Sequence, residues 1–316
     1  MIATDNGFQE AVAIVSDAVD SAKRLQAIFG YELIHQGAPS RQVLDMLGID
    51  PGWEAIETLV GDPAQGRGFM RLISFPGQQT GVMRDGAQSW DTGGIFDVNI
   101  RCLRSIEEQQ AAMTRNGFVG FAPVTQWIFG AFNVKEVVMR DADGLCIAMM
   151  QRLAPPLTGF EQVEGPVSFV FNSTQIVPDF DRARSLFVDT LGWIPIQETR
   201  SSHSDGINCI GLPLDIARDR SMRIGIYQPL GRFEGSVEII QHDVEGMDFS
   251  EAKPPSRGII SLRLPVSDIS ASLEKFRDGG CTIIAPHSTE LAPYGAVEMG
   301  AAITSWGARF ELFQLS

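Results

Sequence analysis

The sequence predicts an α+β fold built from four successive strand–helix–strand units. Three observations lead there. A gapless internal repeat relates the two halves of the chain. Glycine, at 32 of 316 residues, falls between apolar runs without a collagen period, as tight turns between strands require. The length corresponds to two domains of roughly 150 residues each. With 44 % hydrophobic and 20 % charged residues the chain supports a packed core, which excludes wholesale disorder.

The first and third units carry the repeat. Asp17 to Tyr31 matches Asp179 to Trp193 at a constant offset of 162 positions. Each copy opens on an Asp suited to cap a helix, continues with apolar residues at helical spacing, and stops at a Gly followed by an aromatic residue. Apolar strands flank each helix: Ala11–Val15 and Tyr31–Ile34 in the first copy, Val167–Phe171 and Trp193–Ile196 in the second. The second and fourth units begin at Gly94–Arg101 and Gly258–Leu264. Helices follow over Ser105–Gly117 and Asp268–Gly280. Each unit closes in a turn and a strand, Asp141–Met149 and Thr304–Phe313. Between the halves, Leu153–Gln162 is Pro-rich and reads as the linker. The predicted domains are 1–153 and 164–316.

A unit of one strand, one helix and three strands, ending in a D-x-D-G-x-x-I-E-L-like hairpin, resembles the vicinal oxygen chelate superfamily. That superfamily includes glyoxalase I, the extradiol ring-cleaving dioxygenases and the bleomycin-resistance proteins. The resemblance covers nearly the whole chain. It implies four βαβββ modules paired into two glyoxalase/dioxygenase-like domains, each with a curved mixed sheet around a cavity. Two such domains in one polypeptide resemble the extradiol dioxygenases.

The family places its metal ligands on the first and last strands of each module, His on the first and Glu on the last. Carried over, the first-strand positions fall on Glu10, Asp97, Asn172 and Ser261. The last-strand positions fall on Arg71, Ala148, Glu238 and Glu311. An amino-terminal cavity would then hold Glu10, Arg71, Asp97 and Ala148, and a carboxy-terminal one Asn172, Glu238, Ser261 and Glu311. None of these is His, whereas an Fe(II) dioxygenase needs two His and one carboxylate. No cofactor is therefore favoured. A divalent hard metal on Glu238, Glu311 and water is the alternative.

Glu238 and Glu311 are expected to face one another, so that one carboxyl stays protonated near neutral pH and shuttles protons. Glu10, Asp97 and Arg71 form a second catalytic candidate, an Arg between two carboxylates; a structural ion network is the other reading of that trio. Asn172, Ser261, His242, Tyr227 and Tyr294 are expected to position the substrate, with His242 on the same strand face as Glu238. Aromatic and Met-rich strand positions, including Trp127 and Phe132, favour an apolar or aromatic ligand. Ala122–Asn133, without clean periodicity, reads as a cavity-edge loop. Asp141-Ala-Asp-Gly144 reads as a hairpin turn rather than a calcium loop, lacking that loop's further ligands.

The net charge of −14 argues against nucleic-acid partners. No apolar run approaches the roughly 18 residues of a membrane helix, and the N-terminus lacks a secretory signal pattern. Cys102, Cys146, Cys209 and Cys281 are dispersed, without a C-x-x-C pair, and read as small buried hydrophobes in a reducing cytoplasm. The expected protein is a cytoplasmic lyase or isomerase acting on a small aromatic carbonyl or phenolic compound, with a homodimer left open. Its alternatives are an extradiol-type dioxygenase with displaced ligands and a non-catalytic binding or resistance protein.

Overall fold

The computed structural model describes residues 2–129, 131–203 and 206–316. Four modules follow one another as expected. The first comprises β1 (Glu10–Ile14), α1 (Ala18–Phe29), β2 (Glu32–Gly37), α2 (Arg41–Met46), β3 (Ile56–Gly61) and β4 (Phe69–Ser74). The second comprises β5 (Asp97–Cys102), α3 (Ile106–Arg115), β6 (Val119–Gly120), β7 (Thr125–Phe129), β8 (Phe132–Arg140) and β9 (Cys146–Ala154). The third runs β10 (Val167–Ile176), α4 (Phe180–Ser185), β11 (Ile194–Ser202), α5 (Leu214–Ala217), β12 (Ser221–Gln228) and β13 (Ser236–His242). The fourth runs β14 (Gly258–Pro265), α6 (Ile269–Asp278), β15 (Thr282–Leu291), β16 (Gly295–Ile303) and β17 (Arg309–Leu315).

The capping signals act as the sequence suggests. Asp17, Ser105, Asp179 and Asp268 each accept a backbone N–H of the first helical turn. Gly30 closes α1 in the left-handed conformation, at φ 72°. The equivalent helix in the third module passes from α4 into a π-helical turn, Leu186–Thr190, before Gly192.

Two mixed sheets result, and their composition corrects the pairing expected within each half. The eight-stranded sheet runs β15-β16-β17-β14-β1-β4-β3-β2, joining the first module to the fourth. The nine-stranded sheet runs β11-β12-β13-β10-β5-β9-β8-β6, with β7 on β8, joining the second to the third. The seams are antiparallel, β1 on β14 and β5 on β10. A single apolar core takes in helices of all four modules, such as Leu25, Met113, Phe187 and Phe276, together with strand residues of both sheets. The physical reason for the cross-pairing is this shared core. The helices of all four modules bury their apolar stripes together, which brings first strands from opposite halves side by side. At one close approach of the two halves of the chain, Phe8 N–H bonds the Gly235 carbonyl at 3.1 Å. A Cβ on Gly7 would lie 2.1 Å from that same oxygen.

One face of the eight-stranded sheet is filled. Val43, Leu44 and Met46 of α2, a helix without counterpart in the sequence reading, pack there with Leu47, Ile73, Phe75, Met299 and Phe313. No helix among the described residues is long and apolar enough to cross a membrane.

Candidate active site

Cross-pairing sorts the sequence-derived site residues into two groups of opposite character. In the eight-stranded sheet, Glu10, Arg71, Ser261 and Glu311 come together with Arg263, and all five are fully buried. Arg71 donates to both oxygens of Glu10 at 2.8 Å and lies 2.9 Å from Glu57. Arg263 donates to Glu311 at 2.7 Å and to Glu10 at 3.4 Å. Ser261 Oγ donates to Glu311 at 2.9 Å, and Tyr294 Oη to Glu10 at 2.5 Å. Arg309 adds a third cation at 3.3 Å from Glu311. Burial acts to raise the Glu10 and Glu311 pKa values, yet the guanidinium charges and hydrogen bonds outweigh it and hold both below the usual carboxylate range. Both are therefore ionised anions locked in an ion network. The alternative drawn from the sequence, a structural network, describes Glu10 and Arg71. Asp97 is not part of it.

The nine-stranded sheet encloses a cavity of about 700 Å³. Asp97 on β5, Glu136 on β8 and Glu238 on β13 all line it, as do Asn172 and His242. Thr174, rather than Asn172, occupies the central row. It pairs with Asp97 on one side and Glu238 on the other, and its hydroxyl donates to Glu238 Oε2 at 3.1 Å. Asn99 Nδ2 reaches Thr174 Oγ1 at 2.9 Å, Asn172 Oδ1 at 2.8 Å and Asp97 Oδ1 at 3.2 Å. Asn172 in turn donates to Ser236 Oγ at 2.7 Å. Trp127 Nε1 donates to Glu136 Oε2 at 2.9 Å.

None of the three cavity carboxyls appears in a salt bridge among the described residues. Burial, and next the Glu136 charge, push Glu238 up to about 7. Burial dominates for Asp97 also, with Glu238 and Glu136 adding to the rise, and it raises Glu136 as well. His242 is driven down to about 4 by burial, then by His203, and is neutral at pH 7. The site thus holds three carboxyls whose ionisation is disfavoured by burial, one of them balanced near neutrality, in mainly apolar surroundings that include Phe96, Phe171, Met150 and Ile224.

Several expectations are corrected here. Glu311 does not face Glu238; the two lie in different sheets, Glu311 paired to Arg263. Tyr227 is fully buried in the core, stacked on Phe187 with its hydroxyl on Glu198 at 3.0 Å, and lies outside the cavity lining. Ser261 and Tyr294 belong to the ion network. Ala148 packs beside the cavity in a small apolar cluster and carries no donor. Cys209 lines the cavity rather than the core. Ala122–Asn133 is no simple loop: β7 and the start of β8 form a hairpin there, and Trp127 and Phe132 line the cavity. Gly130 lies outside the described residues. The Asp141–Gly144 hairpin turn stands, with Asp141 Oδ1 accepting from the backbone of Asp143 and Leu145. Glu136 escaped the sequence reading because only first and last strands were considered. Its signal was the alternation Val134, Glu136, Val138, which places one acid on an otherwise apolar cavity face.

No protein-family model and no curated protein sequence matches the chain. Solved structures do. Glyoxalase I of maize superposes with a TM-score of 0.62 over 98 % of this chain and 92 % of its own, at 14 % identity. A single-site variant of the same enzyme gives 0.64 with the same coverage and identity. A Bacillus subtilis protein whose name assigns it to the dioxygenases gives 0.60 over 99 % of this chain and 86 % of its own, at 12 % identity. The chain has the vicinal oxygen chelate fold. At such identities the likeness concerns architecture, and the chemistry rests on this chain's own side chains.

Those side chains do not fit the metal centre usual for the vicinal oxygen chelate fold. In the open sheet the positions carried over hold Asp97, Ala148, Asn172 and Glu238, two carboxyls and no imidazole. Among the described residues no three His, Cys, Asp or Glu side chains gather as an ion would need. In the filled sheet the positive charge between the carboxylates is supplied by Arg71 and Arg263.

Proposed function

We propose that the protein is an enzyme of the vicinal oxygen chelate type that transfers protons on a small aromatic carbonyl or phenolic compound, as a lyase or isomerase, within the cavity of the nine-stranded sheet. The observation that supports this reading is the convergence of Asp97, Glu136 and Glu238 on one largely apolar cavity, with no cation among the described residues in a salt bridge to any of them. Carboxyls arranged this way have their protonation states pushed apart, and such a split supplies an acid and a base at the same pH.

Glu238 is the general base. Near pH 7 it exists in both forms, so it accepts a proton and returns it readily. Asp97, whose charged form burial disfavours, is the proton donor toward a substrate oxygen as negative charge develops there. Asn99 and Thr174 fix the two carboxyls through the hydrogen bonds that tie the row together. The apolar walls exclude water and keep the carboxyl protons in place.

The test begins with a thermal-shift screen of aromatic carbonyl and phenolic compounds. Compounds that bind are then incubated with the protein in D₂O. The wild type is expected to convert them or to exchange their labile C–H protons, and Glu238→Gln to bind them without doing either. Binding by the wild type with neither conversion nor exchange overturns the catalytic reading. That outcome would instead support sequestration of a small molecule, which the cavity's volume and apolar lining also suit. Stoichiometric iron in protein purified without chelator would favour the dioxygenase alternative.

A further inference from the structure

The cavity has a second polar pole, chemically opposite to the first. Alternate residues of β5 face the same way, so Asp97, Asn99 and Arg101 all line the cavity in succession. Four residues of strand put the Cα atoms of Asp97 and Arg101 about 13 Å apart. Arg152 on β9 also lines the cavity, one alternation beyond Met150, the residue that pairs with Arg101. The acid row and the arginine pair thus stand toward opposite ends of one apolar chamber.

The arginine pole is built but unsatisfied. Arg101 is only 6 % exposed. Its guanidinium lies 3.9 Å from the centroid of Phe171, with Phe160 and Phe233 at 5.7 and 5.9 Å. Its nearest carboxylate, Glu234, is 3.8 Å away, beyond hydrogen-bond reach and about one-third exposed. The Nε atoms of Arg101 and Arg152 are both buried without a hydrogen-bond partner. Arg152 lies over the Phe132 ring at 4.4 Å. Burial, only partly offset by Glu234, drives Arg101 down to about 10, and the like charge of Arg152 works in the same direction. Two neighbouring guanidinium groups with free donors in an apolar wall are a costly arrangement unless an anion completes it. Aromatic rings around them would also flank a flat ligand body.

We propose that the cavity takes an aromatic monocarboxylate: its carboxylate on Arg101 and Arg152, its ring among Phe171, Phe132 and Phe233, and its reacting carbon or oxygen toward Asp97 and Glu238. This deepens the reading of the cavity as an active site and rests on it for the orientation of the reacting end. The carboxylate subsite itself stands on the arginine geometry alone.

The experiment measures binding without turnover. Benzoate, phenylacetate, phenylpyruvate and cinnamate are titrated calorimetrically into the full-length protein, each beside its neutral amide. At least one acid is expected to bind tenfold or more tightly than its amide. Arg152→Gln is expected to abolish that preference while leaving the amide's affinity unchanged, the amide thereby reporting that the fold is intact. Arg101→Gln should do the same, and Arg101→Lys should restore part of the preference. The proposal is overturned if no acid binds better than its amide, or if the preference survives Arg152→Gln. Glu238→Gln separates the two ideas. It should leave the acid preference in place, so a failure of proton transfer does not count against the carboxylate subsite, nor the reverse.

Discussion

Asp97 and Glu238 lie in one row across the nine-stranded sheet, separated only by the strand that carries Thr174. They come from different halves of the chain, and each is raised by the other's proximity or by that of Glu136, after the larger effect of burial. In the proposed reaction this pair supplies the proton donor and the proton acceptor.

Replacing Glu238 by Gln removes the acceptor while preserving the hydrogen bond to Thr174. Turnover or proton exchange should fall by roughly 10²-fold or more. In the wild type the active form is the carboxylate, so the rate should rise with pH through about 7 and level above it. A pH–rate profile on any converted compound checks this; a flat profile between pH 5 and 9 would remove Glu238 from the role of base.

The same carboxyl makes a stability prediction of definite sign. Its folded pKa, about 7, exceeds the ordinary 4.5. Between those values the native state holds a proton that the unfolded state has lost. The stability contributed by the protonated group is complete below about 4.5 and is lost as pH rises through 7. Glu238→Gln should therefore melt above the wild type at pH 8, with the gap closing at pH 5. Paired melting curves at the two pH values decide it.

In the filled sheet the sign reverses. Glu10 and Glu311 are held below their ordinary range, so their contribution is present above about pH 4.5 and lost on acidification. Arg263→Met leaves buried carboxylates undercompensated and should cost about 3–5 kcal/mol. Arg263→Met combined with Glu311→Leu should cost less than Arg263→Met alone, because no unpaired charge stays behind in that pair. Denaturant unfolding of the two variants reads the difference; equal costs would mean the network is not coupled.

Cys209 lines the cavity, where burial and then Glu136 push its thiol well above the ordinary range. It should resist iodoacetamide at pH 8 in the folded protein, although a small reagent has access to the cavity. Alkylation mapped by mass spectrometry before and after unfolding provides the check. Rapid labelling of native Cys209 would contradict the acidic, low-dielectric picture of the site.

Much of the local structure was legible. Asp17 and Asp179 capped the two repeated helices because a short acid before an apolar helical stripe satisfies free N–H groups whatever the surroundings. The positions of Glu10, Asp97, Glu238 and Glu311 on first and last strands were what the resemblance to the vicinal oxygen chelate superfamily implied, and the strands hold them there. His242 shares the cavity with Glu238, as two residues four apart on one strand should. Less legible were α2, whose six residues leave little periodic pattern, and Glu136, on a strand to which no role had been given.

By itself, the sequence determined four strand–helix–strand units, their order and their helix caps, because hydrophobic period and turn chemistry act over a few residues; the full βαβββ module and the strand positions of the acids were what the resemblance to the vicinal oxygen chelate superfamily implied. Only the tertiary structure decided which modules share a sheet. The β1–β14 and β5–β10 seams join segments far apart in the chain, and their choice depends on how all four helices bury their apolar faces in one core. That choice sent Glu311 to Arg263 and Arg309 and left Glu238 with Asp97 and Glu136, so carboxylates that look alike in sequence became fixed counter-ions in one sheet and titratable groups in the other.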